Sequence, residues 1–294
     1  MCGIAGIIGF HGNDLEKRVH GMAAPIRHRG PDDDGVYLAR DVGLGFAHRR
    51  LSILDVSAAG AQPMESADKE LVIVYNGEVY NYLEIKAELE KKSHVFRTGT
   101  DTEVILAAYR EWGQDCLERF NGMWAFALYD RRKQRVFLAR DRLGIKPLYY
   151  YRDGDRGFYF ASEVKSIVAG APVDFDLDVV RMDSYMDFGY VPGERTLFKG
   201  IHRLLPGHSL VVDLEGKGSP SSYWELNFEN PHEDLGLETY VAQGRALLNS
   251  AIDLRLRSDV PLGIFLSGGA GLKRRCRSFG APGINPFENL FRGL

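Results

Sequence analysis

Apolar and polar positions along the chain follow two periods, and the switches between them mark out the elements. Residues 2–10 read as a short buried strand, with glycine at 3, 6 and 9 where backbone must approach closely. Leu15, Val19, Met22 and Ile26 then recur at helical spacing, and Pro25 marks the expected end of that helix. Strand-like runs follow at 35–39, 43–53 and 70–75, with an Asn-Gly turn signal at Asn76 and Gly77. Residues 81–92 and 101–112 predict amphipathic helices, the second with Ile105, Ala108 and Trp112 on one face. Strands return at 123–129, 135–140, 147–151 and 157–161, separated by polar turns. Blocks of strand alternating with blocks of helix argue for an α+β domain with largely antiparallel sheets, not βαβ repeats.

Residues 216–222 are the best linker candidate, being rich in Gly, Ser and Pro. Beyond them 235–257 has a helical pattern, and 260–266 reads as an apolar strand ending in Ser267, Gly268 and Gly269. A strand running into a Gly-rich turn suggests the opening of a second, α/β-type domain. From residue 270 neither period continues, and basic residues outnumber acidic ones.

Length agrees with this division: 294 residues predict about two domains at roughly 150 residues each. The formal net charge of −3 argues against nucleic acid as the main partner. No apolar run reaches the roughly 18–20 residues of a membrane helix, and the N-terminus lacks the basic flank of a secretory signal, so a cytoplasmic protein is expected. Cys2, Cys116 and Cys276 have neither metal-ligand spacing nor the makings of a disulfide framework, which fits a reducing compartment. The histidines form no HExxH and no Cys/His cluster, so no metal is expected.

Cys2 is the sharpest chemical feature. Removal of Met1, which precedes a small residue, would leave Cys2 with a free α-amine. A thiol of ordinary pKa about 8.5 beside an amine of about 7.7–8 forms a self-contained nucleophile and base. Read alone, Cys2 is first of all a small buried apolar residue at a strand start. Its companions add weight. A site for an amino-acid amide needs a guanidinium for the α-carboxylate, carboxylates for the α-ammonium and donors for a tetrahedral oxyanion. Arg50, the pair Glu78 and Asp101, and the Asn76 amide with the Gly77 N–H supply those groups, provided the fold brings them together. Asp101 also precedes a predicted helix, so a plain N-cap role stays open. Arg27, His28 and Arg29 read either as a loop ordered over the site or as a solvated charged turn. His48, Lys146 and Glu163 read as structural, and Tyr149, Tyr150 and Tyr151 as strand. Basic residues at 273–277 offer only weak support for a localisation patch.

The segments MCGIAGIIG, RHRGPDDDG, AHRRLSILD, QPM, YNGEVYNY, TGTDTE, GMWAFALYD, ARDRLGIKPLYY and ASEVKSI, in that order, resemble the glutamine amidotransferase domain of glutamine-dependent asparagine synthetases. The resemblance covers nearly all of residues 2–213. It implies an α/β/β/α four-layer sandwich of the N-terminal nucleophile hydrolase type. It makes Cys2 the nucleophile that forms a γ-glutamyl thioester, with glutamine as the small-molecule substrate. Arg50 would bind the glutamine α-carboxylate, Glu78 and Asp101 its α-ammonium, and Asn76 and Gly77 would form the oxyanion hole. This half needs no cofactor, and an oligomer is left open.

The same resemblance implies a C-terminal domain that adenylates aspartate with ATP and Mg²⁺ on a loop reading Ser-Gly-Gly-x-Asp-Ser, whose backbone N–H groups cradle pyrophosphate. Ser267, Gly268 and Gly269 follow that pattern, but Gly271 and Leu272 stand where Asp and Ser are expected. The ATP site is therefore incomplete, and the expected organisation is a glutaminase domain at 2–213, a linker at 214–234, the truncated start of an α/β ATP-pyrophosphatase-type synthetase domain at 235–269, and an unmatched, disordered tail at 270–294. The expected activity is hydrolysis of glutamine to glutamate and ammonia. Two alternatives are a non-catalytic truncated or frameshifted fragment and an amidotransferase for a different acceptor.

Overall fold

The computed structural model describes residues 1–228 and 234–263. Its elements in chain order are β1 (Gly3–Ile8), α1 (Leu15–Ala23), β2 (Asp33–Ala39), β3 (Leu44–Arg50), β4 (Met64–Glu65), β5 (Leu71–Val79), α2 (Tyr82–Lys91), α3 (Asp101–Trp112) and α4 (Cys116–Arg119). They continue with β6 (Gly122–Asp130), β7 (Arg135–Arg140), β8 (Tyr149–Arg152), β9 (Phe158–Ala161), α5 (Val164–Gly170), α6 (Val179–Phe188), β10 (Ile201–Arg203), β11 (His208–Asp213), β12 (Pro220–Ser222) and α7 (Leu237–Arg255).

The strands form two six-stranded sheets with antiparallel neighbours, in the orders β10-β8-β9-β1-β3-β2 and β12-β11-β7-β6-β5-β4. Because side chains alternate across a strand, each central strand feeds two cores. Ile4 and Ile8 of β1, Leu44 and Phe46 of β3, and Val72 and Val74 of β5 fill the layer between the sheets. Ala5, Ile7 and Ala47 instead meet Leu15, Val19 and Met22 of α1 and Ile167 of α5 on the outer face of the first sheet. Leu71, Ile73, Tyr75, Phe126 and Phe137 pack against Ile85 and Leu89 of α2 and Ile105 and Leu106 of α3 outside the second. Helix, sheet, sheet, helix is the four-layer sandwich that the resemblance implies.

Strand β1 is buried on both faces, which explains its run of small and apolar residues. A Cβ at Gly6 would lie 2.4 Å from the Phe160 ring, so glycine is what lets the neighbouring aromatic rings close over β1.

Three expectations change. Asn76 and Gly77 are not a turn: β5 runs through them to Val79, with Asn76 opposite Ala125 and Gly77 opposite Trp124. Glycine is needed there because a Cβ at Gly77 would stand 2.2 Å from the Met123 carbonyl oxygen, so an apparent turn signal encodes close approach between strands. The stretch 214–234 is not wholly a linker. β12 pairs with β11, both the Tyr223 and Trp224 N–H groups donate to Gly207 O, and the Tyr223 hydroxyl donates to Arg140 O at 2.6 Å. Residues 216–218 belong to the hairpin connection, and Pro220 sits on the sheet's outermost strand, where a missing N–H is tolerated. The helix expected at 235–257 is present as α7, but none of its residues is buried.

Residues 1–259 form one compact unit and a second begins at Val260. Of the strand expected at 260–266, residues 260–263 carry no strand and the rest lie outside the described residues. No helix among the described residues is long and apolar enough to cross a membrane.

Candidate active site

The two-residue period that builds the layer between the sheets also builds the site. Counting along the same faces, Ile4 and Ile8 lead back to Cys2, Leu44 and Phe46 lead on to His48 and Arg50, and Val72 and Val74 lead on to Asn76 and Glu78. The face changes from apolar to polar at one end of the sandwich, and there Cys2, Arg50, Asn76, Gly77, Glu78 and Asp101 line a cavity of about 210 Å³. All six residues expected from the sequence at the glutamine site meet in it.

Cys2 is half-buried just before β1. Its Sγ lies 3.4 Å from the Leu51 N–H, which donates to it, and 3.6 Å from the Leu51 carbonyl, to which the thiol donates. Burial pushes the thiol pKa up, offset in part by the Leu51 N–H and the neighbouring positive charges. It is therefore no ready-made thiolate and needs a base. The backbone of Cys2 is fixed from behind by Arg29, whose Nε donates to Cys2 O at 2.9 Å and whose Nη1 reaches Glu163 at 2.9 Å. His28 and Lys165 hold the same carboxylate. Arg29 is therefore no solvated turn residue, but it stands behind Cys2 and does not line the cavity as a loop over the site would.

Arg50 is buried at the end of β3. Its guanidinium donates to the carbonyls of Leu54, Asp55 and Ser57, so the loop 51–60 folds back over the cavity wall around it. That loop is pinned from outside as well. Gly99 N–H donates to Asp55 Oδ2, Asp55 N–H donates to Asp259 Oδ2 at 2.7 Å, and Asp259 N–H returns to Ile53 O at 3.1 Å. Asp55 takes a left-handed backbone, φ 47°, a conformation Asp tolerates better than most residues.

Asn76 is buried, and its Nδ2 has no hydrogen-bond partner among the described residues. A buried amide donor without an acceptor costs about 1–3 kcal/mol, a cost that an arriving oxyanion would relieve.

Asp101 is not the N-cap of α3. Thr100 is, accepting from the Glu103 N–H, while Asp101 occupies the first helical position. There its Oδ2 accepts from the Tyr75 hydroxyl at 2.7 Å and the Val79 N–H at 2.9 Å, tying the helix start to β5. Burial raises its pKa to about 6 despite those bonds. Glu78 is also raised, by burial first and then by the charge of Asp101. Two carboxylates thus share a partly dry cavity, a setting that favours a bound cation.

His48 plays the structural part expected of it: it is buried, donates from Nε2 to Tyr75 O at 3.1 Å across the two sheets, and is held neutral by burial, its pKa lowered to about 4. Lys146 departs from a structural reading, because its buried side chain lines the Cys2 cavity. Sequence reasoning also passed over Gln62, which accepts from the Tyr75 N–H and donates to Thr102 at the cavity wall. Its presence in the QPM segment was the available signal. Ser267, Gly268 and Gly269, the basic residues at 273–277 and Cys276 lie outside the described residues. Among the described residues no group of His, Cys, Asp and Glu side chains could hold a metal ion.

Residues 1–224 match the family described as "Glutamine amidotransferase domain". The chain is 40% identical over 288 residues to a putative glutamine-hydrolyzing asparagine synthetase of Methanocaldococcus jannaschii, covering 92% of this chain and 55% of that protein. It is 38% identical over 273 residues to asparagine synthetase 1 of Bacillus subtilis, covering 92% and 42%. It is also 33% identical over 285 residues to the amidase chry2 of Gibberella zeae, covering 92% and 41%. The chain thus spans about half the length of these curated relatives. Among solved structures, the glutamine phosphoribosylpyrophosphate amidotransferase of Bacillus subtilis superposes with a TM-score of 0.56 at 18% identity, over 76% of this chain and 49% of that one, a likeness of fold.

Proposed function

The chain belongs to the glutamine amidotransferase domain family, and from that premise we propose that its cavity hydrolyses glutamine to glutamate and ammonia through a thioester on Cys2. Met1 is removed first, freeing the Cys2 amine. That amine takes the thiol proton as Sγ attacks the side-chain amide carbon of glutamine, and the Asn76 Nδ2 and the Gly77 N–H receive the oxyanion. Collapse of the tetrahedral species breaks the C–N bond, and the amine returns its proton to the leaving nitrogen, releasing ammonia. Water, deprotonated by the same amine, then cleaves the thioester to glutamate and restores the thiol. Arg50 receives the α-carboxylate, and Glu78 with Asp101 receives the α-ammonium.

Asn76 carries this reading: a buried amide donor with no partner among the described residues, in one cavity with a thiol. The raised thiol pKa supports a mechanism in which a base must act, and the raised carboxylate pKa values support a cation as their natural occupant. The test is capture by 6-diazo-5-oxo-norleucine, an electrophilic glutamine analogue, together with ammonia release from glutamine. The expected result is one adduct on the Cys2 peptide and glutamate equimolar with ammonia. A folded protein shown by intact mass to lack Met1, yet neither labelled nor active, would rule the reading out in favour of a non-catalytic fragment.

For this chain the proposal ends at ammonia. Aspartate amidation with ATP and Mg²⁺ would draw on Ser267, Gly268 and Gly269, outside the described residues, and the relatives include both named asparagine synthetases and a named amidase.

A further inference from the structure

Lys146 has its side chain inside the Cys2 cavity, is 5% exposed, and makes no side-chain hydrogen bond or ion pair with another described residue. Lysines this buried are almost always paired, because an unpaired ammonium loses its hydration without return. Its backbone, by contrast, is fixed at both ends. The N–H donates to Asp141 Oδ2 at 2.9 Å, and the carbonyl accepts from Arg140 Nε at 2.7 Å. Asp141 is fully buried and also accepts from the N–H groups of Trp124, Leu143 and Ile145. A loop is thus wound tightly around one carboxylate and delivers a cation to the nucleophile's cavity.

We propose that Lys146 is a positioning residue for catalysis, whose ammonium is shared between Glu78 and Cys2 in the empty site and is left facing Cys2 once the α-ammonium of glutamine occupies Glu78. This rests on the glutamine reading above and deepens it. Charge balance gives the reason. Glutamine brings a carboxylate to Arg50 and an ammonium to Glu78 and Asp101, and since Asp101 already accepts from Tyr75 and Val79, the incoming ammonium displaces Lys146 from Glu78 and leaves its charge beside the thiol. Recognition of the α-amino group then turns the field on at the nucleophile.

The electrostatics of the cluster agree. Burial lowers the pKa of Lys146, against which Glu78 and then Cys2 hold the charge, with Arg29 opposing and Asp141 supporting. Cys2 in turn is pushed up by burial and pulled back by the Leu51 N–H, the Met1 amine, Arg50 and Lys146. The Met1 amine, which precedes Cys2 until Met1 is removed, is lowered by burial, raised by Cys2, lowered by Lys146 and Arg29 and raised by Asp32. Asp101, the remaining carboxylate on the cavity, is engaged by Tyr75 and Val79.

The test is the pH dependence of Cys2 alkylation by iodoacetamide in the Met1-processed full chain, read by peptide mass so that Cys116 and Cys276 do not interfere. K146M is expected to move the midpoint up by about one pH unit, or about tenfold slower labelling at neutral pH. K146R should return it to within about threefold of the unmodified chain, and E78Q should move it down. An unchanged midpoint in K146M, or K146R no better than K146M, would overturn the proposal. If K146M does not fold, an E78Q midpoint that fails to fall does the same. Alkylation requires no glutamine, so a Lys146-dependent midpoint in a protein that releases no ammonia would sink the glutaminase reading and spare the electrostatic one.

Discussion

Helices α3 and α7 make an instructive pair. Both carry apolar residues at helical spacing, yet α3 buries seven of its twelve residues and α7 none of its nineteen. Helix α3 lies against the outer face of the second sheet, where Ile105 and Leu106 meet Ile73 and Phe126, and it begins at Asp101 inside the cavity. Helix α7 keeps Leu237, Val241 and Leu247 exposed. It connects to the site through its last residue and those just beyond it: the Arg255 guanidinium lies 4.6 Å over the Tyr80 ring, Arg257 reaches Glu84 and the Tyr80 carbonyl, and Asp259 holds the loop 51–60. An amphipathic pattern states what a helix could bury, whereas burial itself requires a facing surface. By that measure α3 is part of the machinery and α7 is attached to it.

That contrast fails if the two helices respond alike to truncation. Ile105→Ala should cost about 2–5 kcal/mol and Leu247→Ala stay within about 0.5, measured by urea unfolding. Equal losses would mean that α7 packs on a surface after all. At the catalytic end of α3, Asp101→Ala should lower kcat/KM for glutamine by about two orders of magnitude, the worth of roughly 3 kcal/mol for removing a charge-assisted hydrogen bond from a buried site. Steady-state ammonia release checks it, and the loss should fall mainly on KM.

Titration separates the buried groups further. Asp101, raised to about 6 by burial, holds its proton in the folded state where the unfolded chain has lost it, so it adds stability as pH falls through that window. His48, lowered to about 4, does the opposite, because the unfolded chain takes up its proton first. The two offset each other between about pH 4 and 6. Asp101→Asn should therefore make stability fall more steeply on acidification, by up to about 1.4 kcal/mol per pH unit. A slope no steeper than that of the unmodified chain would show that Asp101 is not raised. In activity, KM for glutamine should rise below about pH 6 as Asp101 takes up a proton. The smallest effect belongs to the α7 side. Asp259→Ala removes one bond to the loop over Arg50 and should raise KM a few-fold, about 0.5–1 kcal/mol, with kcat unchanged.

Much of the site was legible because its residues lie on the continuation of faces that the apolar pattern already defines. Cys2, Arg50, Asn76 and Glu78 extend the even-numbered faces of β1, β3 and β5, so residue type and parity together pointed to one end of the sandwich. The misreadings share a cause. Asn76 and Gly77 looked like a turn because Asn-Gly usually is one, and only the pairing with β6 shows that glycine serves a close approach. The stretch at 214–234 looked like a linker because its Gly, Ser and Pro content is the same in a hairpin at a sheet edge. Arg29 and Lys146 stood in quoted segments, RHRGPDDDG and ARDRLGIKPLYY, but the pattern did not say what they do, since a charged residue in a loop is indistinguishable from a solvated one until the loop's fold is known.

Two hydrophobic periods set the layers, and the motifs set the chemical types at the site; both are properties of the chain read in one dimension. Which charges are dry is a property of the folded molecule alone. Local spacing places a side chain on a face, but desolvation depends on surfaces brought together from distant parts of the chain, as Arg29 and Glu163 close behind Cys2 and the loop around Asp141 carries Lys146 in beside it. The reactivity of a thiol at the start of a strand is set by those long-range enclosures, because the energy of its charge depends on how much water and which other charges remain within reach.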